Sequence, residues 1–343
     1  MSTTSSELCP MVAVVVEISG AKWLVGSRCG LKVRSKSLCQ KTPESRLAAL
    51  CAEVEVAKEK LAGDESARVV VAYEAGQEGW WVQRALESRG ISVKVIDPAS
   101  LKVERRRRRA KTDRLDVESL GRALYAWMQG DSSALRMVRP PSVEAEDNRE
   151  WQRERDRLCA ERRACLDRIS KKLRTQSIWS WDRKALRAGE LRGVDGQPVG
   201  PMLQRALEME LDRVELVEKK LNELEQCVEH LTATAREQIR RLVQLRGIGE
   251  VGARGLSLRL FWRTFDNRRQ EGACTGLTGT PYDSGTMHQD QGISKQGDPL
   301  LRALLVELAW FWLRYQPRSV ITKWFYERTQ GQGKRHKRTL IVA

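Results

Sequence analysis

Residues 11–18 read Met-Val-Ala-Val-Val-Val-Glu-Ile, a β-branched run that carries one charge, Glu17. Branched side chains suit a pleated surface better than a helix, so this stretch is a buried strand. The neighbouring segments have to be arranged around it. Ser19-Gly20 turns the chain, and Lys22–Ser27 reads as an antiparallel neighbour, because the connection is too short for a crossover. Leu31–Leu38 fits a third strand. Pro43-Glu44 opens a helix to about Leu61, with Leu47, Leu50 and Val54 on one face. Arg68–Tyr73 is another buried strand, ending at Glu74; a helix over 79–88 and a strand over Ser92–Ile96 come next, closed by Asp97-Pro98.

A β-meander followed by βαβ units matches the ribonuclease-H-like layout, an α/β fold with a mixed sheet. In that layout one acid lies on the first strand, another at the end of the fourth and the last on a later helix. Glu17, Glu74, and Asp113 with Asp116 occupy those places. Singly, each has a plainer meaning: a charge facing a sheet edge, or a strand terminator.

Asp113 and Asp116 close the stretch R-R-R-R-R-A-K-T-D-R-L-D, Arg105 to Asp116. If Thr112 caps a helix, the i, i+3 spacing sets both carboxylates on one side of the first turn. Two like charges so close need water, an arginine or a divalent metal to hold them. Arg105, Arg106, Arg107, Arg108, Arg109 and Lys111 beside them form a surface for nucleic-acid phosphates. Carboxylates suited to a metal next to a phosphate-binding run suggest phosphoryl transfer on DNA or RNA.

The charge balance agrees. Lys and Arg number 61 against 45 Asp and Glu, a net charge of +16 in 343 residues, which favours a polyanionic partner. No apolar run approaches the roughly 20 residues of a membrane span, and neither the first ten residues nor 11–16 resemble a signal peptide. Eight cysteines without a C-x-x-C pair, and three scattered histidines, argue against a zinc site or a disulfide framework and for a reducing, cytosolic setting.

Arg139-Pro140-Pro141 marks a boundary, giving domains at 1–139, 140–235 and 236–343. Ser142–Arg174 is a long, highly charged helix, 175–202 a Gly/Pro-rich linker, and Leu203–Leu231 a heptad-patterned helix that pairs with the first as a coiled-coil hairpin. A mainly helical C-terminal domain completes the chain. Its G-I-G…A segment, Gly247 to Ala253, is similar to a helix-hairpin-helix whose turn at Gly247 and Gly249 lets backbone amides approach a phosphate; the plainer alternative is a glycine-rich helix connection. Thr278–Gln296 reads as a loop, with Ser284 in a turn before Gly285, and Lys295 and Arg302 downstream as phosphate contacts. No histidine stands at triad-like spacing. Trp310, Trp312, Trp324 and Phe325 read as packing surface, and the basic tail with Lys334 and Arg335 as a phosphate-binding arm.

These motifs together resemble the DEDD-type recombinases of bacterial insertion sequences that are guided by a structured bridge RNA. The resemblance spans nearly the whole chain. It rests on the first-strand acid, Tyr73–Gly76, K-T-D-x-x-D at Lys111–Asp116, G-I-G…A, G-L-T-x-x-P at Gly276–Pro281, Ser284-Gly285 and S-K-x-G-x-x-x-L-R-x-L-L at Ser294–Leu305. It implies a Holliday-junction-resolvase-like domain in which Glu17, Glu74, Asp113 and Asp116 hold Mg²⁺. It implies Ser284 as a nucleophile that links covalently to a DNA phosphate. Its further implications are a bridge RNA that pairs with donor and target DNA, composite sites shared by two protomers, a tetramer built from dimers, and a bacterial cytoplasmic protein associated with the nucleoid when acting. The first acid is commonly aspartate, and here it is Glu17, one methylene longer. The rival expectations are a metal-dependent junction nuclease without the serine step and a non-catalytic nucleic-acid-binding protein.

Overall fold

The computed structural model describes residues 10–20, 22–100, 113–285 and 287–330. In it the apolar run is β1 (Met11–Ile18), next in the sheet to β2 (Trp23–Cys29) and then to β3 (Lys32–Leu38), both antiparallel pairs. The helix α1 (Pro43–Ala57) is capped by Thr42, whose side chain accepts from the Ser45 amide. It runs on through one π-helical turn to Gly63. The strand β4 (Arg68–Glu74) returns parallel to β1, and after α2 (Trp81–Glu87) the strand β5 (Val93–Ile96) lies parallel to β4. Then come α3 (Asp113–Met128) and a two-residue edge strand, β6 (Met137–Val138), antiparallel to β5. The sheet order is β3-β2-β1-β4-β5-β6. This topology is compatible with the ribonuclease-H-like layout.

The two faces of β1 explain its composition. Val12, Val14 and Val16 pack with Leu47, Leu50 and Val54 of α1 and with Val82 and Leu86 of α2. Ala13 and Val15 pack with Val117, Leu120 and Leu124 of α3. Helices cover both sides, so both sets of alternating positions are apolar from Val12 to Val16, and Glu17 enters only near the strand end. The edge β3 tolerates charge: Arg34 and Lys36 both pair with Glu53 of α1. Arg46 ties α1 to the first turn by donating to Ser19 O and Gly20 O.

Residues 1–140 form one unit and 141–343 a second. The second opens with α4 (Val143–Arg174), 32 residues long and capped by Ser142. It pairs with α6 (Pro201–Gln226), and the contacts fix the direction: Trp151 Nε1 donates to Leu224 O at 2.8 Å, while Arg168 bonds Glu210 at 2.9 Å, so the helices run antiparallel. Leu158, Cys165, Ile169 and Leu173 face Leu207, Leu211, Val214, Val217 and Leu221 along the seam. The stretch between them, a linker by composition, is a packed cap. The short α5 (Arg183–Arg187) lies within it, and Ile178, Leu186 and Leu191 are buried against Leu207 and Leu211. Its glycines serve the turns, Gly189 and Gly196 standing at φ 67° and 73°.

Two further helices, α7 (Ala233–Val243) and α8 (Glu250–Arg259), flank the glycine turn, and α9 (Arg268–Thr275) comes after them. The expected loop at 278–296 is instead a β-hairpin, β7 (Gly279–Ser284) with β8 (Met287–Ile293), antiparallel and carrying a register shift between Gly279 and Pro281. Its strands are mostly polar, so no apolar alternation announces them; backbone pairing makes the ladder, and Thr280 Oγ1 donates across it to Gly292 O at 2.8 Å. The chain closes with α10 (Pro299–Tyr315), capped by Asp298, and α11 (Val320–Thr329), capped by Ser319. No helix among the described residues is long and apolar enough to cross a membrane.

Candidate active site

The parallel pair β1–β4 sets the acids. Val16 is in register with Tyr73, and Glu17 and Glu74 are the next residues on their strands. Side chains alternate along a strand, so both acids belong to the face of Val15 and Ala72, the face that α3 covers. Both are half-buried. Glu74 is the last residue of β4 and pairs with Ile96 of β5. The carboxylates thus stand at the C-terminal ends of neighbouring parallel strands, where open α/β sheets place their ligands.

The helix α3 crosses the same face. Its buried stripe runs Val117, Leu120, Leu124 and Met128. Asp116 is half-buried, one turn before Leu120, and Asp113 is the first residue of the helix. The helix lies in van der Waals reach of β1 here: a Cβ added to Gly121 would stand 3.7 Å from Val15 Cγ2. The first unit therefore collects Glu17, Glu74 and the first turn of α3 on one side of one sheet. Among the described residues no three His, Cys, Asp or Glu side chains stand close enough together to hold a metal ion. The donors in question are carboxylate oxygens only, which suits a hard divalent cation such as Mg²⁺.

Beside α3 lies a cleft that the sequence did not announce. Gly26, Arg28, Val33 and Ser35 line it from β2 and β3, and Arg114, Val117, Glu118 and Gly121 from α3, enclosing about 120 Å³. Alternation along β2 puts Gly26 and Arg28 on the α3 side, a sign available in principle once the strand is assigned.

In the second unit Ser284 ends β7 and pairs with Met287, across a turn in which Gly285 takes φ 59°. A glycine with positive φ is what a two-residue hairpin turn needs. The serine thus belongs to the tip of a hairpin rather than to a loop. The hairpin base is clamped: Ser294 N donates to Thr278 O at 2.9 Å and Lys295 N to Gly276 O at 3.1 Å. Lys295 itself sits at φ 57°, unusual for a residue with a side chain. Arg302 Nη1 donates to Gln296 O at 3.0 Å and to Thr275 O at 3.3 Å, bracing the end of α9 against the start of the turn before α10.

Gly247 and Gly249 differ. A Cβ on Gly247, at φ 99°, would meet Phe311 O of α10 at 3.3 Å, so helix packing already requires this glycine. Gly249 is the N-cap of α8 and has open space around it. Arg105, Arg106, Arg107, Arg108, Arg109, Lys111, Lys334 and Arg335, and the expected cap Thr112, lie outside the described residues.

Comparison with known proteins gives two family matches. Residues 239–323 match the model described as "Transposase IS116/IS110/IS902 family", and residues 29–177 match a transposase model of the DEDD IS110 type. The chain is also 37% identical over 351 residues to y4rJ of Sinorhizobium fredii (strain NBRC 101917 / NGR234), a protein named as a transposase. That alignment covers 97% of this chain and 88% of the relative.

Proposed function

Since the chain belongs to the IS116/IS110/IS902 family of transposases, we propose that it cuts and rejoins donor and target DNA through a covalent phosphoserine link at Ser284. The observation that carries the reading is the meeting of Glu17 and Glu74 at neighbouring strand ends, on the face where α3 starts with Asp113 and Asp116. Carboxylates arranged so beside a phosphodiester serve phosphoryl transfer when they hold a divalent ion, which neutralises charge on the phosphate. Glu17, Glu74, Asp113 and Asp116 would hold it.

The chain's own part is set by chemistry. Ser284 Oγ attacks the phosphorus, forming one P–O bond while the bond to a deoxyribose oxygen breaks. The serine proton passes to a base, and the departing sugar oxygen leaves protonated as a hydroxyl. A serine hydroxyl is a weak nucleophile at neutral pH and needs the carboxylate site for activation. One ester bond replaces another, so a second sugar hydroxyl can reverse the attack and rejoin strands without ATP.

A structured bridge RNA supplies the choice of sequence by pairing with both DNAs, in the bacterial cytoplasm. Two protomers complete each site, one giving the acids and the other the serine, within a tetramer of two dimers. The resemblance to the bridge-RNA-guided recombinases and the net charge of +16 support the RNA partner.

The test is Ser284→Ala beside Asp116→Asn, on a donor–target pair with the RNA transcribed from the DNA flanking the gene. Ser284→Ala should abolish both strand exchange and the covalent protein–DNA adduct. If Ser284→Ala still cleaves and only Asp116→Asn stops, the protein is a metal-dependent junction nuclease. If Asp113→Asn with Asp116→Asn leaves activity untouched, the acids have no catalytic part.

A further inference from the structure

Trp262, in the turn after α8, carries two arginines against its ring: Arg149 of α4 at 4.8 Å from the centroid and Arg263 at 4.6 Å. The indole is held in place, its Nε1–H donating to Arg259 O at 3.0 Å. Stacking on an aromatic face orients a guanidinium and leaves its planar edge of N–H groups for another partner.

That partner is missing from the protein side. Among the described residues no carboxylate lies within ion-pair distance of Arg149 or Arg263. The nearby charges are committed elsewhere. Asp298 Oδ2 accepts from Arg259 at 2.8 Å, and its Oδ1 caps α10 through the amides of Leu300 and Leu301. Asp156 also pairs with Arg259, and Arg153 pairs with Glu150. Arg149 is half-buried. Burial, followed by the repulsion of Arg153 and Arg263, holds its guanidinium below the ordinary arginine range, against the weaker pull of Asp298 and Glu146. The half-buried Arg149 and the exposed Arg263 are like charges held side by side on one ring and short of negative charge, a pairing that suits an anion.

We propose that Arg149 and Arg263, braced on Trp262, grip a backbone phosphate of bound nucleic acid. The position suits that role. Cys274, near the end of α9, feels the charge of both arginines, and from α9 the chain passes directly into the hairpin that carries Ser284. A phosphate fixed there anchors the strand beside the base of that hairpin and carries no sequence information, as befits a protein whose sequence choice lies elsewhere. The inference rests on the proposed nucleic-acid substrate.

Arg149→Gln, Arg263→Gln and the conservative Arg149→Lys, all in the full chain, are compared with wild type by fluorescence anisotropy. The probes are a random-sequence duplex DNA and a random-sequence RNA hairpin, titrated at several salt concentrations. Each Gln variant should bind more weakly, with the slope of log K on log salt reduced by about 1 per arginine, and Arg149→Lys should keep most of the slope. A loss confined to one probe names that nucleic acid as the occupant. Without nucleic acid, Arg149→Gln should melt no lower than wild type, because it removes an uncompensated charge; a lower melting temperature with unchanged affinity and slope would reduce the pair to packing and overturn the proposal. Equal binding by all four proteins overturns it as well and leaves the proposed recombinase function standing. Failure of wild type to bind either probe overturns both.

Discussion

Gly26 of β2 lies directly under Val117 of α3: a Cβ built on the glycine would stand 2.2 Å from Val117 Cγ1. A β-branched valine in a helix strongly prefers one rotamer, so turning Cγ1 aside or shifting the helix both cost energy, and the helix begins with Asp113. Gly26→Ala should therefore destabilise the first unit by about 1–3 kcal/mol, the usual cost of overpacking, and should also lower DNA cleavage by shifting the first turn of α3. Adding Val117→Ala restores the space. Chemical denaturation of the two single variants and the double variant gives the coupling energy; additive effects would mean that the two residues do not meet.

The first unit is legible in the sequence because its strands are continuous apolar runs and its acids interrupt them. Glu17 stands out within Val-Val-Val-Glu-Ile, and Glu74 closes Arg68–Tyr73, so the adjacency of the two follows once β1 and β4 pair. The edge strand β6 is not legible, since two residues carry no period. The hairpin around Ser284 reads as a loop because its strand sequences, Gly279–Ser284 and Met287–Ile293, are mostly polar and show no apolar alternation. The stretch 175–202 reads as a linker from its glycines and prolines, while Ile178, Leu186 and Leu191 fall at irregular spacing and still reach one core. The stack of Arg149 on Trp262 joins residues far apart in the chain, which no local pattern reports.

Glu53 makes the first unit sensitive to acid. Its side chain is 1% exposed, with Arg34 Nε at 2.5 Å and Lys36 Nζ at 3.2 Å. Burial pushes its carboxyl up, but hydrogen bonds from Arg34 and Lys36, with their charges, pull it further down, so the net position is below the ordinary glutamate range. A folded-state value depressed in this way stabilises the fold above the unfolded value and stops doing so as pH falls through the folded one. Urea unfolding followed from neutral pH into the acid range should show this loss. Glu53→Gln should be destabilised by about 1–3 kcal/mol at neutral pH and should flatten the acid limb; an unchanged limb would assign it to other carboxylates.

Gly276 and Gly297 clasp the base of the Ser284 hairpin. At φ 68°, a Cβ on Gly276 would lie 1.8 Å from Gln296 O; at φ 79°, one on Gly297 would lie 2.0 Å from Cys274 O. Both obstacles are backbone, which cannot swing aside. Either glycine changed to alanine should open the clasp and abolish formation of the covalent adduct. Gly285, at φ 59° with nothing within 4 Å, is the control. Gly285→Asn should cost only about 1 kcal/mol of local strain and should keep the hairpin, as amide exchange across β7 and β8 would register.

Glu17 separates a metal-holding acid from a structural charge. As a donor to a divalent ion it needs a carboxylate, and the length of its stem matters less than its charge. Glu17→Asp keeps the carboxylate one methylene nearer the β1 backbone, whereas Glu17→Gln keeps the length and loses the charge. A metal clamp supplies several kcal/mol of charge stabilisation in the transition state, so Glu17→Gln should cut the rate of strand cleavage by about a hundredfold or more. Glu17→Asp should stay within about tenfold of wild type, a shift of ~1.4 kcal/mol. The Mg²⁺ concentration that gives half-maximal cleavage should rise for Glu17→Gln and hardly move for Glu17→Asp. Loss of rate in Glu17→Asp but not in Glu17→Gln, with no change in that concentration, would make the length of Glu17 the requirement and remove it from the metal site.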